Sequence, residues 1–182
     1  MQPADNQFVL GVAHDDAEKY ARVRVAGRGT CKEAPTFGVV LKALVKTGPW
    51  RRVRFDVTGC THMDSSFVGK VAGFARIVGL QPEPPRLEMV GATESLQDNL
   101  DSLLVSRLFG PAAEPEPAGL GEKLVELIPA TRLELVTNCL EAHLELIGLG
   151  AENKRRFGGV VEVATAEKER LEAEAMAAKA SA

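Results

Sequence analysis

The sequence lacks the features that mark secreted, disulfide-rich and membrane-spanning proteins. Its three cysteines, Cys31, Cys60 and Cys139, are odd in number and far apart. Since a disulfide framework needs paired cysteines, this usage favours a reducing environment. No apolar run approaches the roughly 20 residues that a membrane helix requires, and the polar start is unlike a signal peptide. We therefore predict a cytoplasmic globular protein.

Metal sites and nucleic-acid interfaces are not indicated either. Cys60 and His62 are two residues apart, but no second pair completes a metal site. Residues 1–110 carry 14 Lys/Arg and 12 Asp/Glu, whereas residues 111–182 carry 8 and 13. A slightly basic body with an acidic tail lacks the concentrated basic face that nucleic-acid binding needs. We expect no cofactor, no metal, no nucleic acid and no membrane among its ligands and partners.

A break in composition separates a body from an extension. The ten residues 110–119 contain three prolines and two glycines, which cannot continue a helix or a central strand. We predict a body over residues 1–110, a Pro/Gly/Glu-rich linker over residues 111–121, and a helical extension with a frayed acidic tail over residues 122–182.

Within the body, apolar and polar residues alternate in segments that are typical of strands with one buried face. The clear segments are 21–25, 53–57 and 87–89, with 8–12 as a weaker fourth. Helical spacing occurs between them, over 31–47, 65–80 and 93–104. A doubly wound sheet would bury both strand faces and show continuous apolar runs. The pattern instead predicts an α/β fold with a mixed sheet of four to five strands and helices mainly on one side.

The polar strand faces are rich in arginine. These positions either face solvent or receive the acidic extension packed back onto them. The extension has one amphipathic helix, 131–148, and an exposed or frayed helix from residue 164. From the charge contrast we predict that the tail folds back or forms a homodimer in a salt-sensitive way. The arginines are Arg22, Arg24, Arg52, Arg54 and Arg86.

The junction between the strand at 53–57 and the next helix carries the candidate functional residues. Asp64 has the properties of an N-cap, because its carboxylate accepts from the free N–H groups of the first turn. At 100° per residue, one helix face is an apolar core stripe and the opposite face carries small residues. The stripe contains Phe67, Val71, Phe74 and Val78, with Val68 and Ala75 beside it; the opposite face contains Ser65, Gly69, Ala72 and Arg76.

The small-residue face predicts a surface that another backbone approaches closely. A phosphate on Ser65 is compatible with the fold, since it lies at the positive end of the helix dipole. It adds roughly −1.5 to −2 of charge beside Asp64, which disfavours a partner fitted to the neutral surface. The pattern thus suggests a docking surface that is switched without refolding.

Two other interpretations fit the same residues. In the first, Asp64 only caps the helix and the serines fill its first turn. Alternatively, a serine between a strand and a helix is where hydrolases place their nucleophile. The glycines of the G-x-S-x-G motif are absent, however, and the sequence suggests no histidine–acid pair for Ser65.

The run from Phe55 to Gly69 resembles the STAS domain of anti-sigma factor antagonists. That family has an aspartate in the strand, a short loop, and then Asp-Ser-Ser-Gly-x-Gly opening a helix. Asp56 matches the strand aspartate, Asp64 the motif aspartate and Gly69 the second glycine. Phe67 stands where the family has its first motif glycine. The resemblance covers about residues 8–110.

The resemblance implies a non-enzymatic regulatory protein. It implies phosphorylation of Ser65 by a partner, which is an anti-sigma factor or serine kinase with a histidine-kinase-like ATPase fold, and restoration by a PPM-type phosphatase. The alternatives are a scaffold module of the same fold that is never phosphorylated, within a signalling or transport complex, and a small serine hydrolase. The candidate partner-binding residues are Asp64, Ser65, Ser66, Gly69, Lys70, Ala72 and Arg76.

Overall fold

The computed structural model describes residues 7–112 and 114–180. Predictions that concern residues 1–6, 113 and 181–182 lie outside the described residues. The chain forms six strands, five α-helices and one 3₁₀ turn. The strands are β1 (Val9–Asp15), β2 (Tyr20–Gly29), β3 (Arg52–Asp56), β4 (Cys60–Met63), β5 (Arg86–Val90) and β6 (Lys123–Leu124). The helices are α1 (Ala34–Thr47), α2 (Ser65–Gly79), α3 (Glu94–Ser102), α4 (Arg132–Gly148) and α5 (Ala151–Ala180), and the 3₁₀ turn is Ser106–Leu108.

The strands form one mixed sheet in the order β5-β3-β2-β1-β6, with β4 paired to the end of β2. β2, β3 and β5 are mutually parallel, whereas β1 runs antiparallel to β2 and to β6. The predicted α/β class and mixed sheet are confirmed, but the sheet has six strands instead of four to five. The additional strands are β4, which sequence analysis treated as a loop, and β6. The first helix begins at Ala34 and not at Cys31.

The alternation along the strands sends apolar side chains to one face of the sheet. Val23, Val53 and Phe55 are buried there together with Phe37 of α1 and Phe74 of α2. Because these residues recur at period 2 on the strands and at helical spacing on α1 and α2, the two layers bury a continuous core. This packing fixes the position of α2, on which the candidate site lies.

The other face of the sheet carries the arginines, and an acidic segment covers it. Arg24 Nη2 donates to Glu122 Oε2 at 2.6 Å, and Arg22 Nη1 donates to Glu116 Oε1 at 2.7 Å. Arg54 bonds the fully buried Glu88 at 2.8 Å. The contacts favour the interpretation in which the acidic extension packs back onto the sheet. The segment responsible is residues 114–122, and the terminal helix α5 lies against α4 instead.

Two further observations concern classes of site. Within residues 7–112 and 114–180, no group of three or more His, Cys, Asp and Glu side chains is arranged to hold a metal ion. In the same part of the chain, no helix combines the length and the apolar character needed to cross a bilayer.

Candidate functional site

Asp64 sets the start of α2. Its backbone is extended, and its Oδ1 accepts from the Phe67 N–H at 2.9 Å, as the N-cap prediction required. Its Oδ2 accepts from the Cys31 N–H at 2.7 Å, in the loop before α1. The Asp64 N–H donates to the Gly29 carbonyl at 2.9 Å. One carboxylate thus fixes both the first turn of α2 and the neighbouring loop.

Phe67 is accommodated in the core by its neighbours. The ring is fully buried and stacks on Phe37 with ring centroids 4.1 Å apart. Gly29 leaves the necessary space, since a Cβ at that position would lie 2.9 Å from the Phe67 ring. The prediction that Phe67 belongs to the core stripe is confirmed, and α2 opens normally without the motif glycine.

The Ser65 hydroxyl is held by a histidine of the extension. Ser65 is half-buried, and its Oγ lies 2.9 Å from Nε2 of His143 in α4. His143 Nδ1 lies 2.7 Å from the carbonyl oxygen of Cys139. Since a carbonyl only accepts, Nδ1 carries the proton, and in neutral His143 Nε2 accepts from the Ser65 hydroxyl. The sequence analysis suggested no histidine–acid pair for Ser65; the structure adds a histidine partner, whose second ring nitrogen bonds a backbone carbonyl.

Charge and burial shift the titration of this cluster. Burial acts to lower the pKa of His143, but the hydrogen bonds with Cys139 and the nearby Asp64 carboxylate raise it above 6.5 overall. The hydrogen bond with His143 lowers the pKa of the Cys139 thiol, against the effect of burial. The protonated form of His143 is accordingly more favoured than in a free imidazole.

α4 lies directly on the small-residue face of α2. A Cβ on Gly69 would stand 2.3 Å from the carbonyl oxygen of Ala142, so only glycine permits this approach. Gly69 and Ala72 are buried, as is Ala142 on the facing helix. The close approach of another backbone that the sequence predicted is made by the chain's own extension.

Two ion pairs flank the contact between α2 and α4. Lys70 Nζ lies 2.8 Å from Glu141 Oε2. The Arg76 guanidinium forms a bidentate ion pair with Glu145, with Nε 2.6 Å from Oε2 and Nη2 2.7 Å from Oε1. Burial lowers the pKa of Lys70, and Glu141 partly offsets that effect. The face of α2 is thus matched in shape by Ala142 and in charge by two carboxylates.

The structure places the predicted site residues along one side of α2. Two of them, Asp64 and Ser66, do not have exposed, unbonded side chains. Asp64 is fully engaged in capping, and Ser66 is buried, 5% exposed, so neither side chain is a free surface group. Ser65, Gly69 and Lys70 contact α4. Ala72 is buried, and Arg76 keeps 56% of its side chain exposed. Sequence reasoning missed His143, Glu141 and Glu145.

A cleft remains open beside the contact. It has a volume of about 240 Å³ and lies between α1, α2 and α4, lined by Gly38 and Lys42 of α1 and by Gly73 and Ile77 of α2. The groove between α1 and α2 is therefore only partly filled by α4. A second basic side chain, Lys42, borders it.

The chain is similar to solved structures of anti-sigma factor antagonists. One from Mycobacterium paratuberculosis matches with a TM-score of 0.49 and 15% identity, over 61% of this chain and 89% of that one. The anti-sigma factor antagonist SpoIIAA in its unphosphorylated form matches with a TM-score of 0.47 and 15% identity, over 59% and 90%. The Bacillus cell fate determinant SpoIIAA in the phosphorylated form matches with a TM-score of 0.44 and 17% identity, over 59% and 93%. No protein-family model and no curated protein matches the chain.

Proposed function

We propose that this chain is a non-enzymatic regulatory protein of the anti-sigma factor antagonist type. It binds an anti-sigma factor or a switch kinase through the face of α2 that runs from Ser65 to Arg76. Phosphorylation of Ser65 ends that binding, and a PPM-type phosphatase restores it. One observation carries the proposal: a serine hydroxyl in the first turn of α2 borders a small-residue face that contacts another helix backbone at Gly69.

The geometry supports a phosphorylated serine at this position. Ser65 is the first residue of α2, where free N–H groups and the helix dipole favour a negative group. The phosphate adds charge next to Asp64 and at the edge of the contact face. A partner with acidic groups at the positions of Glu141 and Glu145 is then repelled, whereas α2 itself stays folded.

The proposal assigns a role to each part of the chain. Residues 1–110 form the partner-binding body, residues 111–121 connect it to the extension, and residues 122–182 modulate access to α2. The protein acts in the cytoplasm, without a cofactor, a metal, a nucleic acid or a membrane. Self-association through the extension into a homodimer remains a prediction.

The test changes the charge of Ser65 alone. We expect Ser65→Asp to weaken binding of the switch kinase encoded nearest to the gene by at least about tenfold, measured by titration calorimetry. Ser95→Asp is the matched control, because Ser95 is an exposed serine in the first turn of α3. Intact-mass analysis after incubation with the kinase and ATP is expected to show one phosphate, absent in Ser65→Ala. Equal binding by Ser65→Asp and wild type contradicts the switch.

The same fold without phosphorylation is the first alternative. Phe67 lies in the first turn of α2, where the family motif has a glycine. A scaffold module of a signalling or transport complex needs only the contact face of α2 and no phosphorylated serine. In that case the kinase leaves the mass unchanged, and binding persists in Ser65→Asp.

A serine hydrolase is the second alternative, and one observation favours it. The Ser65 Oγ to His143 Nε2 distance of 2.9 Å is that of a nucleophile and its general base. Its weakness is the orienting group, because Nδ1 of His143 bonds a backbone carbonyl and not a carboxylate. Covalent labelling of Ser65 by a fluorophosphonate, lost in His143→Ala, supports this alternative, and absence of labelling removes it.

A further inference from the structure

The face proposed for partner binding is occupied within the chain itself. Ala142 lies against the Gly69 backbone, and His143 holds the Ser65 hydroxyl. Glu141 and Glu145 take up the charges of Lys70 and Arg76. Binding of a partner to this face and docking of α4 are therefore mutually exclusive, because both occupy the space next to Gly69.

α4 buries a smaller share of its residues than α2 does. Three of its 17 residues are buried, compared with ten of the 15 in α2. The ion pair of Arg76 with Glu145 lies at the surface, where such pairs contribute little. Residues 125–131, which precede α4, form neither helix nor strand. Release of α4 removes the buried Leu146 from the core, whereas the packing of Phe55 in the sheet against Phe74 of α2 does not involve α4.

The corner between α4 and α5 is anchored to the body. Asn153 Nδ2 donates to the Leu103 carbonyl at 2.8 Å and to the Leu146 carbonyl at 3.0 Å, and Arg156 Nη1 donates to the Ser102 carbonyl at 3.2 Å. These contacts keep a displaced α4 close to α2. A tethered competitor of this kind acts at a high effective concentration.

We propose that α4 is an autoinhibitory occupant of the α2 face, and that the natural partner displaces it with an acidic helix of the same chemistry. The identity of the face rests on the proposed function. The sequence of α4 defines what the partner helix needs. It needs a small residue over Gly69, a carboxylate one position before that residue and a carboxylate three positions after it, as in Glu141, Ala142 and Glu145. While α4 is docked, the Ser65 hydroxyl is bonded to His143, so a kinase reaches it only after displacing α4.

The test uses the full chain and a labelled synthetic peptide of residues 131–148 as the probe. Ala142→Arg places a long side chain where the Gly69 backbone leaves no room, so α4 leaves the face. We expect the peptide to bind this variant at least about 100-fold more tightly than it binds the wild type. Adding Lys70→Glu and Arg76→Glu to the variant should abolish the binding, since the peptide carries Glu141 and Glu145.

A second variant keeps the test informative if Ala142→Arg does not fold. Glu141→Arg with Glu145→Arg reverses the charges that face α2, and Glu162→Arg with Glu169→Arg makes the same change at exposed positions of α5. The first pair should admit the peptide and the control pair should not. Emission from Trp50, which is buried in the body and donates to the Leu44 carbonyl of α1, reports that the body remains folded.

Each outcome bears on the inference. Equal peptide affinity for the wild type and the variants overturns it, because docked α4 then obstructs nothing. Absence of binding to every variant overturns it as well, since the vacant face then fails to recognise an acidic helix. Hydrogen exchange that leaves α4 equally protected in wild type and both variants also contradicts it. If the peptide binds as expected but Ser65→Asp leaves kinase binding unchanged, the inference that α4 occupies the α2 face holds and the proposed function fails.

Discussion

At the residue scale, the contact between Ser65 and His143 makes docking of α4 sensitive to pH. His143 is 4% exposed and faces Ser65 and Asp64 on α2, Cys139 on its own helix and Phe157 of α5. Its pKa is raised above 6.5 in the folded chain, despite the opposing effect of burial. The stabilisation that follows is fully present below pH 6.5 and is lost as the pH rises through the raised value.

We therefore expect the free energy of unfolding to fall between about pH 6 and about pH 8, and the fall to be smaller in His143→Gln. Urea denaturation at the two pH values measures it. His62→Gln is the matched control, because it removes an imidazole on β4, and the change in slope should be larger in His143→Gln than in His62→Gln. A slope that is unchanged in His143→Gln would show that this imidazole is not the titrating group.

The residues on α2 were predictable because each prediction concerned local geometry. Asp64 as a cap, Phe67 in the core and Gly69 as a point of close approach all follow from the sequence around one helix. His143 was not predicted, since it is 78 residues from Ser65 along the chain. A weak signal exists: His143 lies three residues after Leu140 and four before Ile147, on the side of α4 that carries its apolar residues.

At the element scale, the segment 114–122 closes the polar face of the sheet through its carboxylates. Glu122 receives hydrogen bonds from Arg24 and Arg22, and its side chain is 21% exposed. The hydrogen bond from Arg24 is the largest cause of the lowered pKa of Glu122. A lowered carboxyl pKa stabilises the fold above its usual value, and this stabilisation is lost as the pH falls through the lowered one.

We expect Glu122→Gln to reduce the free energy of unfolding at neutral pH by about 1.5–3 kcal/mol, the value of a hydrogen bond to a charged group. Glu126→Gln changes an exposed carboxylate four residues away and should have an effect within about 0.5 kcal/mol. Chemical denaturation of both variants gives the comparison. The deficit of Glu122→Gln should shrink in acid, and a deficit independent of pH would contradict the assignment.

Elements with a long periodic pattern could be predicted, and very short ones could not. α2 was expected over 65–80 and spans Ser65–Gly79; α4 was expected over 131–148 and spans Arg132–Gly148. β4 has four residues and β6 has two, too few for a period-2 pattern to stand out. The stripe on α4 shows that the helix packs on something, but the pattern does not say on what.

At the scale of the whole molecule, the linker and the extension together cover the body on both sides. Residues 114–122 lie on the arginine face of the sheet, and α4 lies on α2 on the opposite side. The charge contrast between residues 1–110 and 111–182 predicted that the tail folds back or forms a homodimer. It did not distinguish the two contacts, because net charge carries no information about which carboxylate meets which cation.

We propose that the α2 face binds a protein partner and that α4 leaves this face when the partner binds. Amide NMR spectra of the isotope-labelled full chain, recorded while the kinase encoded nearest to the gene is added, test it most directly. We expect the amide resonances from Ser65 to Arg76 and those of α4 to shift together, and Ser65→Asp to suppress both changes. Shifts confined to α5 or to the arginine face of the sheet, with α2 and α4 unperturbed, would contradict it.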